Sequence, residues 1–243
     1  MTLQSTSDPA SAQQEGRGSQ RALREWANRV RAEYRSAAIT ARVLHLGIAA
    51  GLPRPLLDTA RRVVDDELTH AELSHACLVA LGGADVPVEV EFDALARLDH
   101  AEGPLAELVS HVLHSFCLGE TFAVPLFRQM RNHTTLPSAH AALERILTDE
   151  AVHRAFGWHA LDALLKFDNQ GVRAFVETHL PAAIAAYYDA YAAHADAPPL
   201  TPEEAAAGLL DGVTYARIFH ETWQNDIVPR FARRAIATPP DRW

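Results

Sequence analysis

The chain has 243 residues, 48% hydrophobic and 22% charged, with a formal net charge of −9; this suits one ordinary domain with a sizeable core, and the acidic balance argues against broad binding along a nucleic-acid phosphate backbone. Two cysteines, Cys77 and Cys117, make neither a disulfide framework nor a CxxC motif, which excludes a rubredoxin-like or zinc-ribbon site and fits a reducing cytoplasm. No signal peptide and no membrane-spanning apolar run is evident, so a soluble cytoplasmic protein with no membrane partner is expected.

Residues 1–19 are polar and rich in Ser, Gln and Gly, too poor in apolar surface to order themselves, and read as a disordered tail. Residues 20–243 read as one helical domain, dominated by Ala, Leu and Arg with little β-branched alternation. A first helix is expected over 21–50, ending before Gly51 and Pro53. A second starts near Pro55 and stops at Gly82-Gly83. Residues 84–101 form a long connection of the kind that joins two helical hairpins in a four-helix bundle. A third helix is expected over 103–132, kinked or broken by Pro125, and a fourth over 138–167. Two accessory helices follow, around 171–195 and 202–235. The second opens on a capping box, Thr201-Pro-Glu-Glu204, and Pro181 and Pro229 should bend the pair. The expected fold class is all-α: a bundle over about 21–167 with a long crossover and two additional C-terminal helices.

Three Glu-x-x-His matches occur: Glu67/His70, Glu72/His75 and Glu150/His153. A single match is close to chance in a chain this rich in Glu and His. Helical facing separates them. Glu67 and His70 interrupt an apolar stripe of Leu56, Ala60, Val63, Ser74, Cys77 and Leu81, and Glu150 and His153 interrupt one of Leu143, Ile146, Gly157, Leu161 and Leu164. Glu72/His75 lies about 140° away, beside Asp65 and Thr69, on a polar face. Each retained pair has a carboxylate on the preceding helix. Glu33 sits in a stripe with Trp26, Val30, Ala37 and Leu44, and Glu120 in one with Leu113, Phe116, Cys117 and Val124. The separations, 34 residues from Glu33 to Glu67 and 30 from Glu120 to Glu150, let the chain climb one helix and return to the same height. Four carboxylates and two imidazoles in an apolar core suit two divalent, oxygen-preferring first-row ions, iron or manganese.

This set resembles the ligand pattern of the ferritin-like di-iron carboxylate superfamily. The segment Asp149-Glu-Ala-Val-His-Arg-Ala-Phe-Gly157 is similar to the second metal motif of rubrerythrin-like proteins and aldehyde-deformylating oxygenases. The resemblance implies a ferritin-like bundle with two iron ions, or a Mn/Fe pair, held by Glu33, Glu67, His70, Glu120, Glu150 and His153. Glu67 and Glu150 would bridge or chelate the pair, and Asp66 and Asp149 would receive the other N–H of the ligand histidines. Only two cysteines speak against the extra four-cysteine iron site of a rubrerythrin. Ser74 and Gly157 stand one turn after the histidines, so no tyrosyl radical is expected there.

Small residues at 74 and 157 either leave space beside the metals for dioxygen and an organic molecule or allow close helix packing. Cys117 would line such a pocket or act as a small buried hydrophobe. His111, His114 and His220 are the other imidazoles that could add a ligand. The two accessory helices would cover a substrate channel or form a homodimer interface. The expected function is therefore a di-iron oxygenase that uses O2 and an external, ferredoxin-type electron donor to oxidise a small organic substrate, by hydroxylation, N-oxygenation or oxidative C–C cleavage. The alternative is a ferroxidase, iron-handling or peroxide-scavenging protein without an organic substrate.

Overall fold

A computed structural model describes residues 19–91 and 102–240. Residues 1–18 of the expected tail and 92–101 of the expected crossover lie outside the described residues. Helix α1 spans Gln20–Ala49, α2 Arg54–Ala80, α4 Pro137–Phe167 and α5 Asn169–Tyr191. Helix α3 is a continuous run of three segments: an α-helix over Pro104–His111, a π-helical stretch over Val112–Glu120, and an α-helix over Thr121–His133. No strand occurs among the described residues.

Local chemistry sets the ends. The Ser19 side chain accepts from the Ala22 N–H to start α1, and proline occupies the first turn of α2, α3 and α4. Gly51 and Gly82, at φ +69° and +90°, take left-handed conformations where α1 and α2 stop. Pro125 does not break α3. The winding instead loosens to a π pattern just before it, and the Thr121 side-chain oxygen accepts from Trp158 Nε1 at 3.1 Å.

Helix α1 packs on α2, α2 on α4, α4 on α3, and α3 back on α1, giving a closed ring of four. The interior is apolar at both ends. Val43, Val63, Leu113 and Leu161 belong to one cluster, and Trp26, Cys77, Leu126 and Leu143 to the other. Outside the site, Arg42 grips the buried Glu107 through two bonds, 2.7 and 3.0 Å, tying α1 to α3 and holding that carboxyl below the usual range.

The last expected helix is two. The capping box forms as read, with Thr201 and Glu204 bonding each other's backbone N–H, but helix α6 spans only Pro202–Ala206. Gly208, at φ +85°, turns the chain, and Asp211 caps a new helix, α7. This runs as α-helix over Gly212–Thr222, π-helix over Trp223–Ile227 and α-helix over Val228–Ala232. The carbonyls bared by the break are satisfied across the fold. The Thr134 hydroxyl donates to Ala206 O at 2.6 Å and Trp26 Nε1 to Ala207 O at 3.1 Å. These tertiary bonds remove the cost of stopping, which is why periodicity alone overran it. Helices α5 and α7 pack against α3 and each other on one side of the ring. Among the described residues no helix is long and apolar enough to cross a membrane.

Candidate metal centre

All six expected ligands are buried: Glu33 on α1, Glu67 and His70 on α2, Glu120 on α3, Glu150 and His153 on α4. Ligand atoms of Glu67, His70, Glu150 and His153 all lie within 4.8 Å of one another. The arrangement is crossed. His70 Nδ1 is 3.3 Å from Glu67 and 3.7 Å from Glu150, and His153 Nδ1 is 3.4 Å from Glu150 and 3.5 Å from Glu67. Each central carboxylate thus faces both imidazoles. Glu33 lies within electrostatic reach of Glu67 and Glu150, and Glu120 within reach of Glu150, Glu67 and Glu33.

The far nitrogens of the rings are crossed as well. His70 Nε2 donates to Asp149 at 3.2 Å, and His153 Nε2 to Asp66 at 3.3 Å, so each half of the chain orients the imidazole of the other. Because a carboxylate only accepts, these contacts put a proton on Nε2 and aim Nδ1 inward. A further layer fixes the aspartates. Arg62 lies 3.3 Å from Asp66 and 3.6 Å from Asp149, and Arg145 lies 2.9 Å from Asp149 and 3.6 Å from Asp66. Replacing Asp66 or Asp149 by Asn leaves the shape intact but weakens that orientation. Each variant should lose about 10–100-fold in metal affinity, read by competition against a chelator of known strength; unchanged affinity in both would show the aspartates to be idle.

The inner atoms are those a protein cannot satisfy alone. Glu67 Oε2, His70 Nδ1, Glu150 Oε2 and His153 Nδ1 are fully buried without a hydrogen-bond partner. Burial and the neighbouring Glu67 and Glu150 push the Glu33 carboxyl well above its usual range; burial and Glu150 do the same to Glu120. Burial alone would also raise Glu67, but His153 and His70 outweigh it and hold this carboxyl low. For His153 burial works downward and Glu150 and Glu67 win, lifting it to about 11; His70 is lifted against its burial in the same way. The groups raised in this way, Glu33, Glu120, His70 and His153, favour their protonated forms where cations fit. Four carboxylates match the charge of two divalent ions, and an N/O donor set without thiolate suits iron or manganese chemistry. The buried cluster can hold a metal ion.

The discarded third motif lies elsewhere: Glu72 is exposed and His75 bonds the Val86 carbonyl at 2.9 Å. His111 faces Glu107 at 3.6 Å, and the His220 ring packs against Tyr188 and Phe219. The His114 carbonyl takes the Tyr187 hydroxyl at 2.8 Å.

The open space is not beside the histidines. Ser74 and Cys117 are fully buried, the Cys117 thiol lies 3.5 Å from the Gly157 carbonyl, and a Cβ on Gly157 would overlap Phe116. Gly157 therefore serves the close approach of α4 to α3, and burial keeps Cys117 a neutral thiol. A chamber of about 1220 Å3 opens on the opposite, carboxylate side. Glu33, Glu67, Glu120 and Glu150 form its floor, and Ser115, Gly119 and Ala123 of α3 leave its width. Tyr187 and Tyr191 of α5 and Tyr215 of α7 wall it, and the exposed Glu89 and Glu91 of the crossover stand at its rim. Sequence reasoning missed this side, although 115, 119 and 123 repeat every four residues and end at the level of Glu120. It also missed Ser36, one turn after Glu33, whose hydroxyl donates to Glu67 at 2.6 Å.

Compared with protein-family models, curated proteins and solved structures, the chain finds no match.

Proposed function

We propose that this chain is a ferritin-like, non-haem di-iron oxygenase that oxidises a small organic molecule. The observation that carries the reading is the contact between the buried Glu67/His70/Glu150/His153 cluster, flanked by the buried Glu33 and Glu120, and a large chamber that opens on its carboxylate face. Glu67 and Glu150, each within reach of both histidines, would hold the ions together with His70, His153, Glu33 and Glu120. When bound, an iron pair would supply the redox chemistry, which with O2, two electrons from an external donor and two protons would put one oxygen atom into the substrate and release the other as water.

The chain's own residues do the rest. Asp66 and Asp149 hold the imidazoles at a fixed angle, and Ser36 fixes one oxygen of Glu67. The apolar clusters above and below keep bulk water from the histidine side. Helices α5 and α7 add the aromatic wall that a bare storage bundle does not need, which favours an organic substrate over iron storage.

The test is dioxygen consumption by reduced, iron-loaded protein with candidate substrates and a ferredoxin-type donor. Substrate-dependent O2 uptake, lost in Glu120→Ala, is the expected result. A large closed shell that mineralises iron, with uptake independent of any organic molecule, would replace this reading with the ferroxidase one.

A further inference from the structure

Arg29 stands on α1 one turn before Glu33, on a wall common to the main chamber and a smaller cavity of about 280 Å3. Its guanidinium lies 4.7 Å from the centre of the Phe127 ring and 5.2 Å from that of Trp26. Among the described residues its one hydrogen bond is from Nη2 to the Met130 sulfur, at 3.2 Å, and its buried Nε has no partner there. Among the described residues it makes no ion pair; Glu33, one turn on, lies within its electrostatic reach, and Glu25, one turn earlier, is exposed. A half-buried cation held by two ring faces and a thioether has lost hydration without gaining a strong acceptor, an unfavourable state unless an anion completes it.

Two more donors face the same space. Tyr191 and Tyr215 line both cavities, and each lies within electrostatic reach of Arg29. Their rings lie 6.0 Å apart, tilted by 31°, and among the described residues neither hydroxyl has a hydrogen-bond partner. Tyr187, the third tyrosine of the wall, differs because its hydroxyl is spent on the His114 carbonyl. One guanidinium and two phenols, flanked by Trp26 and Phe127, make a seat for a single negative charge on an apolar body. The nearby carboxyl groups of Glu33 and Glu25 disfavour a dianion such as a phosphate.

We infer that the chamber binds a small organic monocarboxylate, its carboxylate on Arg29, Tyr191 and Tyr215 and its apolar body directed toward the Glu33–Glu120 face of the centre. This rests on the proposed function for what happens to the molecule, but not for its binding. Arg29 lies about 6 Å from Glu33 along the helix axis, so the anchored group and the metal face are separated by only a few bonds of substrate. Arg29 is thereby a specificity-determining residue.

The test compares benzoate with benzamide and octanoate with octanamide, titrated by saturation-transfer NMR into the full-length protein, once iron-loaded and once stripped by chelator. At least one carboxylate should bind about tenfold more tightly than its amide in both states. Arg29→Gln should erase that preference while helical circular dichroism is kept. Arg29→Lys should restore part of it, and reads the charge if the Gln variant does not fold. No binding of either acid at millimolar concentration, equal affinity for acid and amide, or a preference that survives Arg29→Gln would overturn the inference. A two-iron chain without the preference fails this inference alone. A chain that takes up no iron yet keeps the Arg29-dependent preference supports it and fails the oxygenase reading alone.

Discussion

Full-length protein made in iron-replete medium and purified without chelator should carry about two iron ions per chain, and Glu67→Ala or His153→Ala should carry almost none. The crossed geometry makes these losses large. Glu67 faces both His70 and His153, so its truncation would take a donor from beside both imidazoles at once. His153→Ala takes away the imidazole nearest Glu150 and leaves Asp66 with only its arginine contacts. Each variant is checked for helical content first, because a buried group left without its partner also weakens the fold, by about 3–5 kcal/mol where the pair is charged. Glu72→Ala is the control: it belongs to a Glu-x-x-His motif too, but it is exposed and should keep the full iron content. Elemental analysis decides. Two iron ions retained in both ligand variants, or none in the parent chain, would remove the metal centre from the account.

Much of this was legible in the sequence because burial of charge is expensive. A Glu or His at the centre of an apolar helical stripe has few structural uses, and the stripes through Glu67/His70 and Glu150/His153 pointed to one common centre, where the structure places them. The same periodicity told Glu72/His75 apart. What periodicity cannot report is which neighbour fills a gap. Gly157 offered space on paper, but Phe116 occupies it. The actual chamber depends on α1 and α3 carrying small residues where α5 and α7 stand off as an aromatic wall, a juxtaposition of segments distant in the chain. The crossed pairing of His70 with Asp149 and His153 with Asp66 was likewise hidden, since each aspartate sits four residues or fewer from the wrong histidine. The break at Gly208 was missed for the same reason: Trp26 and Thr134, far away in the chain, make it affordable.

Without metal, the protein should lose stability as pH rises through neutrality, and metal should reverse the trend. Glu33 and Glu120 titrate well above their ordinary value of 4.5 in the folded chain, because burial and the neighbouring carboxylates oppose ionisation. Between that value and their raised folded values, the folded chain holds protons that the unfolded chain has released. His70 and His153 have the same sign: their folded values lie above 6.5, to about 11 for His153, so their contribution is full below 6.5 and fades above it. Glu67 has the opposite sign, since its depressed value adds stability above 4.5 that is lost only in acid. Each proton held by the folded state alone makes stability fall by about 1.4 kcal/mol per pH unit. Divalent ions at the centre displace those protons, so binding should release protons near neutrality. Anaerobic Fe(II) or Mn(II) titration in weakly buffered solution with a pH indicator counts them. Thermal melts from pH 5.5 to 8.5 should show the metal-free Tm falling while the gain in Tm from metal grows. A metal-free Tm that climbs across this range, or metal uptake that releases no protons, would mean that Glu33, Glu120, His70 and His153 hold no extra protons before metal arrives, and that the centre is not balanced by protons in its absence.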